Sequence, residues 1–156
     1  MDLTTVARVK ALAKDLSSAN DAWYAAAIAG ISAAIERETG RWFERKQRTE
    51  KFSPDGDITL FFLRATPVAS IDEVKNDAEI VDVAEYRLLD EIGAVEFESP
   101  PLPSFSGRLE IKYTGGLAAT VDALVALPEY LDLAHACERE VLALWQRRDR
   151  IAPRLS

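Results

Sequence analysis

The residues best suited to chemistry in this 156-residue chain are a single histidine, a single cysteine and an abundance of acids. A nucleophile and its base must come within hydrogen-bond reach of each other. His135 and Cys137 lie two positions apart in sequence, and on a helix that spacing turns the side chains about 200° away from one another. Both therefore read as structural. Zinc needs several Cys or His ligands at short spacing, and one of each is too few. Asp72, Glu73 and Asp77, or Asp55 and Asp57, offer oxygens to a cation, yet neither group has the spacing or turn glycine of a calcium loop. Gly115-Gly116 lacks the later glycine or lysine of a phosphate-binding loop. Trp23, Trp42 and Trp145, with Phe43, read as packing rather than a ligand cage. The residues predict no catalytic, cofactor or metal site. A carboxylate pair of a small hydrolase stays as the enzymatic alternative, and it would need a raised pKa inside a cleft.

The background of these residues is ordinary. Apolar residues at 48% and charged residues at 29% suit one globular domain of this length. No apolar run reaches the ~20 residues of a membrane helix. Met1-Asp2-Leu3 starts no basic-then-apolar stretch, so no signal peptide is expected, and with Cys137 alone there is no internal disulfide. The net charge of −7 is uneven. From Ser70 to Pro100 ten acids face two bases, Lys75 and Arg87, a balance of −8 that leaves the rest of the chain at +1. Basic residues gather at Arg41 to Lys51 and at Arg147 to Arg154. An acidic chain of this kind is a poor general binder of nucleic acid.

The elements that must position these residues follow from periodicity. Thr4 or Thr5 caps a helix running to about Leu16, with Val6, Val9, Leu12 and Ala13 on one face. Ser18 or Asn20 caps a second helix carrying Tyr24, Ile28, Ile31 and Ile35, and Gly40 ends it. Gln47 to Phe52 and Ile58 to Leu63 flank the turn signal Ser53-Pro54-Asp55-Gly56 and predict a hairpin. Val68 to Val74 reads as a strand, and Tyr86 to Leu89 with Ala94 to Phe97 as a second hairpin around Asp90-Glu91-Ile92-Gly93. Pro100, Pro101 and Pro103 forbid regular structure. Leu109, Ile111 and Tyr113 alternate along a half-buried strand closed by Thr114-Gly115-Gly116. Val121 to Leu127 is either a short helix or a packed loop. Pro128 opens a last helix with the stripe Ala134, Cys137, Val141 and Leu144, widened by Trp145. The order predicts an α+β fold: two N-terminal helices and a C-terminal helix form a core, interrupted by a small antiparallel β insert over about 47–113.

Several segments together resemble the head–tail connector (adaptor) proteins of tailed bacteriophages. They are Leu3-Thr4-Thr5-Val6-Ala7-Arg8-Val9-Lys10-Ala11-Leu12, the run Ile31 to Phe43 with its Thr39-Gly40-Arg41, and Thr66-Pro67-Val68-Ala69-Ser70-Ile71-Asp72-Glu73-Val74. Lys112-Tyr113-Thr114-Gly115-Gly116-Leu117 and Leu127-Pro128-Glu129-Tyr130-Leu131-Asp132-Leu133-Ala134 complete the series. Each motif is weak alone; their order from Leu3 to Arg148 is what carries the likeness.

The resemblance implies a structural role without catalysis. Connectors form a ring, typically twelve-fold, beneath the portal protein, and extend the channel through which double-stranded DNA passes without specific binding. A head-closure or tail protein meets the other side, and no membrane is involved. Such a protein resides in the virion at the head–tail interface and is made in the bacterial host cytoplasm. An acidic middle segment lining the channel would repel DNA phosphates. The expected subunit contact is on the second helix, at Trp23, at Tyr24 or on the polar side of Glu36 and Arg37. A C-terminal arm over about 147–156, with Arg147, Arg148, Arg150 and Arg154 beside Ile151 and Leu155, is the expected portal contact, because arginines bind carboxylates in pairs of hydrogen bonds. Another virion joining protein, for head closure or tail completion, is the alternative within the same class.

Overall fold

The computed structural model describes residues 1–53, 58–77, 79–98 and 108–151, with the backbone alone for 149–151. The chain divides into two compact units, a discontinuous one of Met1–Gly40 with Ala118–Ser156, and one of Arg41–Leu117. This is the expected α+β arrangement of a helical core interrupted by a β insert. The insert is wider than predicted at both ends.

The first unit packs α1 (Val6–Ala13), α2 (Asp21–Thr39), α3 (Val121–Val125) and α4 (Leu131–Ile151). The Thr5 side chain caps α1 by accepting from the Arg8 amide. α1 stops three residues short of the predicted Leu16. Lys14 takes the left-handed conformation at φ 56°, and two backbone bonds, Lys14 N to Ala11 O and Asp15 N to Lys10 O, close the end. A lysine gives no sequence signal of such a stop. Neither Ser18 nor Asn20 caps α2 through its side chain; Ser17 instead caps a short 3-10 turn, Ser18–Asn20, that leads into it. Gly40 ends α2 at φ 66°, as its position implied. Val121–Val125 resolves to a short helix, capped by Thr120.

The helices meet along Val9, Tyr24, Ile28, Leu124, Ala134, Cys137 and Val141, all buried. Each large apolar side chain among them contributes roughly 1.5–3 kcal/mol. Two residues placed on the predicted stripes stand out in solvent instead, Leu12 at 55% and Leu144 at 40% exposure. Among the described residues no helix is long and apolar enough to cross a membrane.

The second unit holds β1 (Lys46–Phe52), β2 (Leu60–Phe62), β3 (Val68–Asn76), β4 (Glu79–Ile80), β5 (Tyr86–Leu89), β6 (Ala94–Phe97) and β7 (Leu109–Gly115). They form two antiparallel sheets, ordered β1-β7-β3-β4 and β2-β6-β5. The β5–β6 hairpin forms as expected, with Tyr86 opposite Phe97. The hairpin predicted between Gln47–Phe52 and Ile58–Leu63 does not. β1 pairs with β7 over seven residues, and β2 pairs with β6. A turn signal states where a chain reverses, not which strand it then joins; its residues 54–57, with Asp55 and Asp57, lie outside the described residues, as do Pro100, Pro101 and Pro103. Phe61, Leu63, Val95 and Phe97 share one apolar cluster with Val74, Leu109, Ile111 and Tyr113, so residues of both sheets supply a single core. The strict in–out alternation of β7 is what makes it the central strand.

Candidate assembly surfaces

Within the helical unit the aromatic residues of α2 and α4 converge. Trp23, Tyr24 and Trp145 lie with ring centroids 4.9 to 5.2 Å apart. The Arg148 guanidinium covers two of them, 4.9 Å from Trp145 and 5.4 Å from Trp23, and donates to Asn20 Oδ1 at 3.4 Å. Two expected partner-binding residues, Trp23 and Arg148, are thus in contact with each other. Tyr24 is fully buried, which removes it from any subunit surface in this fold. Its ring is the packed member of the aromatic group, as its place on the Tyr24–Ile28 stripe of α2 implied. Glu36 lies 4.0 Å from the Met1 amino nitrogen, while Arg37 is largely exposed beside Glu38. Arg147 is exposed near the end of α4. The side chains of Arg150 and Ile151, and all of Arg154 and Leu155, lie outside the described residues.

The helical unit also holds a polar network that sequence reasoning missed. Glu138, 3% exposed, accepts on Oε1 from Thr4 Oγ1 and from Arg8 Nε, each at 2.7 Å. Ser32 Oγ accepts from the Leu3 amide at 3.0 Å and lies 3.7 Å from Cys137 Sγ. The available signal was a carboxylate one residue beyond Cys137, on the apolar stripe of α4. Burial pushes the Cys137 thiol up; the Ser32 contact opposes this, and the nearby Glu138 and Asp2 charges reinforce it. A buried thiol of that kind is a poor nucleophile. His135 is exposed on the same helix, so the two do not meet.

In the insert, Tyr113 donates to the carboxylate of Glu50 and accepts from the Ala65 amide at 3.0 Å, while Glu50 also accepts from the Arg64 amide at 2.8 Å. Burial foremost, then the bond to Glu50, pushes the Tyr113 phenol well above its ordinary range. The guanidinium groups of Arg48 and Arg64 both lie over the Trp42 ring, 4.7 and 4.3 Å from its centroid. The acidic middle segment separates into two populations. Glu73 pairs with Lys75 and Glu96 with Arg87, and Asp72 accepts from Gln47, Ser70 and Thr114. Burial works to raise the Asp72 carboxyl, but those three bonds together hold it below the usual range. Glu79, Asp82, Glu85, Asp90, Glu91 and Glu98 stand exposed. Among the described residues no group of three or more His, Cys, Asp or Glu is arranged to hold a metal ion.

No protein-family model matches this sequence, and no curated protein sequence matches it. Solved structures do. A chain in the neck of an empty gene transfer agent particle, computed with C6 symmetry, superposes at TM-score 0.70 and 23% identity, covering 92% of this chain and 78% of that one. A chain in the virion of the native particle gives 0.62 at 25% identity, covering 85% and 69%. A chain in the native neck computed with C12 symmetry gives 0.59 at 23%, covering 94% and 82%. The likeness extends over most of both chains. It shows a fold shared with virion neck components, in line with the head–tail connector resemblance in the sequence.

Proposed function

We propose that this chain is a structural neck component of a tailed phage or phage-derived particle, acting as the connector ring between portal and tail. The observation that carries this reading is the fold shared with gene transfer agent neck chains over 92% and 94% of the sequence. The ordered connector-like motifs support it independently. The mechanism is geometric: each subunit offers one face to the next copy, one end to the portal protein and the other to a head-closure or tail protein. The exposed acids of the insert, Glu79, Asp82, Glu85 and Glu98 among them, suit a wall that repels DNA phosphates within a Debye length of about 8–10 Å. The arm from Arg147 to Leu155, including Arg148, Arg150, Ile151 and Arg154, is the portal contact in this reading. Arginine forks bind portal carboxylates, and the apolar pair fills small pockets.

The test is negative-stain imaging and co-purification of the chain with a co-expressed portal protein. Rings that cap the portal support the reading. A stable two-fold dimer that ignores the portal would refute it. Deleting residues 150–156 should leave the melting temperature within about 2 °C, because the described core of the helical unit runs from Leu3 to Val141. It should also weaken portal binding at least tenfold; undiminished binding would remove the arm from the mechanism.

A further inference from the structure

The helical unit carries two unusual surfaces. An open groove of about 810 Å³ runs between α1 and α4. Its lining includes Ala11, Leu12, Ala136 and Leu142, with Asp132 and Arg139 among the charged residues. Leu12, at 55% exposure, stands in it without an apolar cover from the rest of the unit. The second surface is on α2. Tyr24, Ile28 and Ser32 of that helix are buried, and its outward positions are Ala22, Ala25, Ala26, Ala29, Gly30 and Ala33, all exposed. A solvated helix face ordinarily carries charged side chains. This one carries none until Arg37, one turn beyond Ala33.

We propose that the α1–α4 groove of one copy receives the alanine face of α2 from the next copy, forming the repeated contact of the ring. The inference rests on the ring reading above and names its two faces. Charge selects the occupant. In the groove Arg8 is neutralised by Glu138, and Asp132 and Arg139 offset each other, so a nearly neutral partner is required. The C-terminal segment, with four arginines in ten residues, and the acidic stretch Ser70 to Pro100, at −8, both fail that condition. The α2 face satisfies it, and its terminal Arg37, which among the described residues pairs with Glu38 at 3.6 Å, is exposed and can meet Asp132 of the neighbouring copy. That pairing sets α2 antiparallel to the neighbour's α4.

Size points the same way. Alanine and glycine let helix axes approach to the short end of the 8–10 Å packing range, where the Leu12 and Leu142 side chains fill the space beside them. The groove lies on α1 and α4, whereas the stripe is the side of α2 turned away from its buried face. The contact is therefore heterologous, with two different patches meeting, which is what a closed ring demands.

Cysteine trapping tests this directly. Ala29→Cys and Leu12→Cys are made as separate single variants and mixed under mild oxidation; the native Cys137 is buried and its thiol is pushed up by burial, so it is a weak competitor. The mixture should give the mixed disulfide dimer, and each variant alone should give little. The double variant should give a ladder of covalent oligomers. A dimer from Ala29→Cys alone at the same yield, or no cross-link in the mixture, would overturn the proposal. Ala29→Arg should abolish rings in negative stain while leaving the melting temperature unchanged, and Arg37→Asp should be rescued by Asp132→Arg. Rings formed undiminished by Ala29→Arg would overturn this contact and leave the connector reading standing. Absence of both rings and cross-links in the presence of the portal would overturn both.

Discussion

Arg8 and Glu138 are 130 positions apart in sequence and 2.7 Å apart in space, Nε to Oε1, with the carboxylate buried and the guanidinium about one-third exposed. Removing the cation strands a buried charge that Thr4 alone must satisfy. Arg8→Ala should cost about 2–3 kcal/mol in urea unfolding, toward the low side for a buried pair because Arg8 keeps solvent contact. Replacing both partners, as Arg8→Leu with Glu138→Leu, should cost much less than the two single changes added together. Additive costs would mean that the pair is not coupled.

Tyr113 predicts a pH dependence. Its phenol is raised in the fold, so the proton is held more tightly there than in the unfolded chain. The stability it contributes is complete below the unfolded value of about 10 and is lost as pH rises toward the folded value. Tyr86, also raised by burial and by Asp82, adds in the same direction. The protein should lose stability from about pH 10 upward. Tyr113→Phe should flatten that slope while costing about 1–3 kcal/mol at neutral pH, because Glu50 and the Ala65 amide each lose a partner. Denaturant midpoints at pH 8 and pH 10.5 measure both effects.

Gly115 and Gly116 each sit where a side chain has no room. A Cβ at Gly115 would fall 2.1 Å from the Ala65 carbonyl oxygen, and one at Gly116, where φ is +117°, 2.5 Å from that of Glu44. Both obstacles are backbone. Either glycine changed to alanine should destabilise the chain by at least about 2 kcal/mol, whereas Gly30→Ala, with open space around it, should be neutral or stabilising by up to ~1 kcal/mol. A thermal melt of the three variants would separate them.

Arg148 lies on the rings of Trp23 and Trp145, and Arg148→Ala removes both contacts. At this exposed site the loss should be about 0.5–1 kcal/mol, with a measurable change in tryptophan emission. The arm reading adds that Arg148→Ala weakens portal binding more than it lowers stability. Equal small effects on both would confine Arg148 to a packing role.

Local signals in the sequence were read well where they have local causes. Thr5 before α1, Gly40 after α2 and the Leu109–Ile111–Tyr113 alternation all act through their own neighbours, and the structure realises each, whereas Pro128 opens a 3-10 turn, Pro128–Tyr130, and α4 begins at Leu131. What escaped has two causes. Lys14 ends α1 in the left-handed conformation through local backbone bonds that a lysine does not announce, while β1 joins β7, some sixty residues on in the chain, rather than β2. The sequence places Tyr24 both on the apolar stripe of α2 and in the subunit contact with Trp23, and the fold keeps only the first of these. The groove went unread because Leu12 fits an apolar stripe equally well whether the stripe is covered by its own chain or left open.

The stem of the insert has a consequence for how the chain acquires its shape. The Leu117 amide donates to the Phe43 carbonyl at 2.7 Å, so the β unit closes where it begins and ends. Thr4 and Glu138, by contrast, are 134 positions apart and belong to the same helical unit. During synthesis the β unit is complete before α4 has been made, and α1 and α2 must wait for it. Once the stem closes, the span that α4 must bridge to reach α1 shortens by more than seventy residues' worth of chain, and the closure entropy falls with it. Closure of the β unit at its stem therefore lowers the entropic cost of docking α4 on α1 and α2.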